Sequence, residues 1–147
     1  MAAALILLWS YMTHYSLVLR DISTGKIYGS YPVRLHDEFS VSFTHSVNKT
    51  PVTDQYRINS PHDIHNYACK YYGFGAGVQT ELGEGETLRY EGDAMVVENI
   101  NKHFDHLLYG MKPASSHHLL INGEDIFLPE LLSGPANVVF EIKHTLL

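Results

Sequence analysis

The sequence predicts an all-β fold: a single β-sandwich or partly open barrel of short antiparallel strands, with at most one short helix. Three observations predict it. Residues 38–47 (EFSVSFTHSV) alternate at a period of two, with Phe39, Val41, Phe43, His45 and Val47 on one face and Ser40, Ser42, Thr44 and Ser46 on the other. Short strand-like runs recur along the chain and are punctuated by turn residues, such as Ser23-Thr24-Gly25-Lys26 and Asn122-Gly123. No long window carries a convincing helical period. The chain has 147 residues, of which 45% are hydrophobic and 18% charged. That length fits one domain and buries roughly two thirds of the unfolded surface, so no disulfide or zinc staple is needed.

The elements follow in order. Residues 16–20 and 27–33 flank the first turn and form a hairpin. The alternating strand 38–47 comes next. Residues 48–51 connect it to a strand that places Val52, Asp54, Tyr56 and Ile58 on one face. Further strands are expected at 65–72, 93–99, 117–121 and 138–143, with Asn122-Gly123 turning the third of these back on itself as a hairpin. Residues 101–110 (NKHFDHLLYG) bring Phe104, Leu107 and Leu108 to one helical face and read as a short helix or another strand. Residues 81–91 hold Glu81, Glu84, Glu86 and Glu91 against Arg89 and read as a solvated loop.

The N-terminal run, MAAALILLW, is unbroken apolar sequence but too short to cross a bilayer, which takes ~20 residues. It reads either as a buried first element or as the end of a signal-anchor. Trp9, Tyr11 and Tyr15 cluster where an interfacial aromatic belt would sit, which favours the anchor. Residues 1–15 are therefore expected to reach the membrane and 16–147 to form the domain.

Composition excludes several functions. The net charge is -6, and the ten Lys and Arg are scattered singly, so no basic face exists to neutralise phosphates and no nucleic-acid partner is expected. One cysteine, Cys69, allows no internal disulfide and no CxxC site, and it reads as a small apolar filler. Ten histidines include the pairs His62/His65, His103/His106 and His117/His118, but none has a third ligand at a metal-motif spacing, and the last two residues face opposite sides of a strand. No metal or other cofactor is expected. Gly73-Phe74-Gly75-Ala76-Gly77 lacks the following helix that a phosphate loop requires, and reads as a turn or a close backbone approach.

Two blocks carry a resemblance. The first is His45-Ser46-Val47-x-x-Thr50-Pro51-Val52-x-Asp54-x-Tyr56, and the second is Tyr72 followed by the glycine-rich run ending at Gly77. In this order and spacing they resemble the domain of unknown function 1850 family, over residues 16–142. That family often has Glu where this chain has Asp54, and Pro where it has Gln79. The resemblance implies a small extracytoplasmic protein, held at the membrane or cell surface by an N-terminal segment. It also implies an accessory role beside a tripartite ATP-independent periplasmic (TRAP) transporter of the TAXI type, whose membrane permease or solute-binding subunit would be the partner. It brings no catalytic residues.

The residues themselves point to one region. His45 and Asp54 lie on the apolar faces of neighbouring strands, where a carboxylate beside an imidazole fixes its tautomer or charges it. The pair reads as a structural hydrogen bond that pins the hairpin, or as a ligand contact together with Ser46, Tyr56, Gly75 and Gly77. Ser46 faces away from His45, which defeats a Ser/His/Asp triad, so the chain is not expected to be an enzyme.

Overall fold

The computed structural model describes residues 15–47, 49–72 and 81–145. Residues 1–14 of the expected membrane segment lie outside them; Tyr15, expected to end that segment, is instead the first residue of a strand and packs against the core. Among the described residues eleven strands build two sheets in which every pairing is antiparallel. They are β1 (Tyr15–Asp21), β2 (Ile27–Val33), β3 (Glu38–Thr44), β4 (Pro51–Ser60), β5 (Asp63–Tyr72), β6 (Thr87–Glu91), β7 (Ala94–Phe104), β8 (Leu107–Met111), β9 (His118–Ile121), β10 (Glu124–Phe127) and β11 (Ala136–His144). A four-stranded sheet runs β2-β1-β11-β8, and a seven-stranded sheet runs β10-β9-β3-β4-β5-β7-β6. Neither closes on itself, so the fold is a sandwich and not a barrel.

The alternation read from the sequence sets the layers. Leu17 and Leu19 of β1 and Val138, Phe140 and Ile142 of β11 point from the smaller sheet onto Phe39, Val41, Tyr56, Ile58, Leu119 and Ile121 of the larger one. Each such side chain is worth roughly 1.5–3 kcal/mol when buried. A second cluster of Val52, Cys69, Val97 and Ile100, edged by Phe43 and Tyr71, extends the inner face of the larger sheet past the main core. Cys69 is buried there, as an apolar filler would be.

The turns are built as their residues dictate. Asp21 Oδ1 accepts from the Ser23 and Thr24 amides at 2.7 and 3.1 Å, Gly25 takes the left-handed conformation, and β2 returns along β1. Asn122 and Gly123, at φ 54 and 77, make the two-residue hairpin between β9 and β10. Between β4 and β5 the ladder shifts register, and Asn66 donates to the Gln55 and Ala68 carbonyls across the irregularity.

One open reading is decided and one expectation changes. Of helix or strand for residues 101–110, the structure gives strand: they are the end of β7 and the start of β8, joined by a bend at Asp105 and His106. The apolar residues Phe104, Leu107 and Leu108 fit a helical face, but antiparallel pairing of the two strands to β5 and β11 wins. The solvated loop of residues 81–91 ends in an edge strand, β6, whose five residues are all exposed and which pairs only with β7. Among the described residues the one short helical turn is of the 3-10 type, Leu128–Leu131.

Candidate functional site

The strand carrying the first sequence block stops sooner than its alternation suggests. β3 ends at Thr44, opposite Pro51, which has no amide hydrogen to continue the ladder. Thr44 instead gives its own N–H to Ser116 Oγ at 2.8 Å. The chain then turns. The His45 amide donates to the Thr50 carbonyl at 2.9 Å, and the Lys49 amide donates back to the His45 carbonyl at 2.9 Å. Lys49 holds a left-handed φ of 56, a conformation costly for any residue but glycine or asparagine.

This turn decides where His45 and Asp54 lie. Thr44 pairs with Pro51 and Val41 with Asp54, so His45 stands level with Thr50 and not with Asp54. Asp54 faces inward as read from the alternation, but His45 lies past the end of β3 in the turn, and the register is not the one that would make the two side chains partners. His45 Nδ1 accepts from the Val47 amide at 3.3 Å within the turn. Ser46 is exposed beside it. Gly75 and Gly77 lie outside the described residues. β5 ends at Tyr72, one residue past the Tyr71–Val52 pair, at the same end of the sheet as the 45–50 turn.

Asp54 finds a different partner. It lies between Val41 and Cys69 on the inner face, and it accepts from the Tyr109 hydroxyl of β8 across a long 3.5 Å. Tyr109 and Tyr56 share a short 2.6 Å hydrogen bond between their hydroxyls. The contacts join β4 of the larger sheet to β8 of the smaller. Burial pushes the Asp54 carboxyl up, against the opposing pull of hydrogen bonds from Cys69 and Tyr109. Burial also pushes up the Cys69 thiol and the Tyr56 and Tyr109 hydroxyls, and the Asp54 carboxylate adds to this. Cys69 is thus held as an unreactive thiol.

Beside this cluster an open groove of about 680 Å³ runs between the 44–49 turn and the connection from β8 to β9. Phe43 and His117 stack in it at 5.4 Å, and Tyr109 meets both rings edge-on. Burial lowers the His117 imidazole, which favours its neutral form, and its Nδ1 lies 3.0 Å from Ser115 Oγ. Among the described residues the lining includes His45, Ser46, Lys49, Lys112, Ser115 and Ser116, and no Asp or Glu. Among the described residues neither lysine takes part in an ion pair. The sequence reading reached His45 and Ser46 but not Lys49, Lys112, Tyr109 or His117. The run of Lys112, Pro113, Ser115 and Ser116 marks a turn, but nothing in it says which strand end it faces.

Four further histidines, His62, His65, His103 and His106, gather at the opposite end of the larger sheet. His62 contacts Asp105 at 2.7 Å, His106 contacts the same carboxylate at 3.1 Å, and His103 contacts Asp63 at 2.7 Å while stacking on His65. Among the described residues no group of three or more His, Cys, Asp or Glu side chains is arranged to hold a metal ion. No helix among them is long and apolar enough to cross a membrane.

Fold and groove together define a two-sheet β-sandwich domain with a cationic, hydroxyl-lined recess at one hairpin end. A family model described as a domain of unknown function (DUF1850) matches residues 39–128, more than half of the chain, and the chain belongs to that family. The match is narrower than the stretch over which the sequence resembles the family: β1, β2 and β11 lie outside it. No curated protein and no solved structure matches the chain.

Proposed function

We propose that the protein is an extracytoplasmic accessory domain of a TRAP-type (TAXI) solute transporter, tethered to the membrane by its N-terminal apolar run, and that it works by binding and not by catalysis. Family membership supports the transporter context. The observation that carries the binding role is that His45 and Ser46 of the family block line an open groove with two lysines that form no ion pair among the described residues. The groove also favours the more limited reading of a small-ligand-binding domain, centred on His45 and its neighbours with Asp54 behind them. Nucleophilic chemistry finds little support: Cys69 is buried with its thiol pushed up, and Ser46 follows His45 directly in the turn.

The test is co-purification of the tagged full-length protein, solubilised from membranes of cells that also produce the TAXI-type permease. The reading expects the permease or its solute-binding subunit in the eluate, and a marked loss of both on replacing Ser46 with Trp. Absence of both subunits, with solute uptake unchanged in cells lacking the protein, overturns the accessory role.

A further inference from the structure

The groove between the 44–49 turn and the β8–β9 connection has a chemistry that names its ligand. The chain as a whole carries a net charge of -6, so a small anion meets a repulsive surface over most of the molecule. This recess is the reverse. Among the described residues that line it are Lys49 and Lys112 and no carboxylate. Thr44 donates its amide to Ser116 Oγ, which leaves the Ser116 hydroxyl hydrogen to be donated elsewhere. The backbone holds Lys49 at φ 56, where glycine or asparagine would sit without strain.

The wall is not that of a phosphate site. Among the described residues no arginine fork or helix N-terminus lines it, and Pro113 removes one amide donor from the connection. One side is instead the flat, half-buried Phe43–His117 stack. That combination suits a ligand with a carboxylate at one end and an apolar body. The room is within the usual range for small-molecule sites, roughly 300–1,000 Å³.

We propose that this groove binds a small organic acid, with its carboxylate between Lys49, Lys112 and the Ser116 hydroxyl and its carbon chain against Phe43 and His117. The assignment rests on the binding role proposed above, but it does not depend on the transporter.

The experiment is a titration of the isotopically labelled protein, followed by amide chemical shifts. The probes are succinate, glutarate and glutamate, with succinamide and inorganic phosphate as controls. Saturable shifts confined to residues 44–50 and 110–117 are expected with at least one acid, weakening as salt is raised. Lys49→Gln and Lys112→Gln should each weaken binding about ten-fold, as loss of a charged hydrogen bond does. Lys143→Gln, on β11 and paired with Glu141, should leave it unchanged. The spectra of the variants report directly whether they are folded. Three results overturn the assignment: no saturable shift with any acid, equal response to succinamide, or phosphate binding as tightly as the best acid. If the acids bind but no permease co-purifies, the site stands and the accessory role falls. The reverse outcome removes the site and leaves that role.

Discussion

Asp54 shows how one side chain can carry a sequence block without the partner its neighbours suggest. Its carboxyl faces inward between Val41 and Cys69, and its hydrogen-bond donors come from the tyrosine of another sheet and from the thiol beside it. Burial dominates those donors and raises the carboxyl above its ordinary value of 3.8. The sign follows from linkage. A group raised on folding contributes stability that is complete below its unfolded value and is lost as pH rises through the folded one. Replacing Asp54 with Asn keeps the shape and the acceptor but removes the charge. The variant should therefore gain on the wild type as pH rises from about 4 towards 8, and should show no such gain below 4. Urea denaturation of both proteins at the two pH values measures this difference. A stability gap that is the same at both ends of the range would mean that Asp54 ionises as freely in the fold as in the unfolded chain.

Turns, more than strands, decide what the elements can do. In the β9–β10 hairpin, Asn122 and Gly123 both have positive φ, and the Asn122 amide donates to the Pro32 carbonyl at 2.9 Å, tying the hairpin to β2. A Cβ at Gly123 would meet nothing within 4 Å, so only backbone strain opposes one. Gly123→Ala should cost about 1 kcal/mol, seen as a lower denaturation midpoint with an unchanged slope. No change would show that the turn relaxes to another type at no cost. This hairpin was legible because Asn-Gly states its own geometry. The β3–β4 turn was less so. Alternation told which face Asp54 belongs to, but where the strand stops before His45, and the register beyond it, depend on the turn, which Pro51 and the left-handed Lys49 fix. β6 was missed for another reason. All five of its residues are exposed, so Thr87, Leu88 and Arg89 leave no buried face for a period of two to mark. The groove was the least legible part, because Lys49 and Lys112 come to line one recess through long-range strand pairing such as that of β3 with β9, which no local pattern encodes.

Across the whole molecule the two ends of the larger sheet should answer acid in opposite senses. At the groove end, protonation of Asp54 relieves a buried charge. At the far end, the β4–β5 and β7–β8 turns are joined by His62–Asp105 and His103–Asp63, with His106 on the other oxygen of Asp105. There the hydrogen bond from His103 holds the Asp63 carboxyl below its usual range, and those from His106 and His62 do the same for Asp105. A carboxyl lowered on folding contributes stability above its unfolded value that is lost as pH falls through the folded one. These contacts are solvent-exposed, so each is weak and screened by salt, and their loss should open the turns locally without unfolding the core. Amide exchange measured at steps from pH 6 down to about 3 should therefore show protection falling first at residues 60–65 and 103–107. The central amides of β3 and β4, around Val41 and Asp54, should hold their protection over the same range, after correction for intrinsic exchange rates. Asp105→Asn should remove most of the pH dependence at the far end while leaving that of β4 in place. Simultaneous loss of protection at both ends, in the wild type and in the variant alike, would mean that acid acts on the sandwich as one cooperative unit and that the histidine–carboxylate contacts contribute nothing separable.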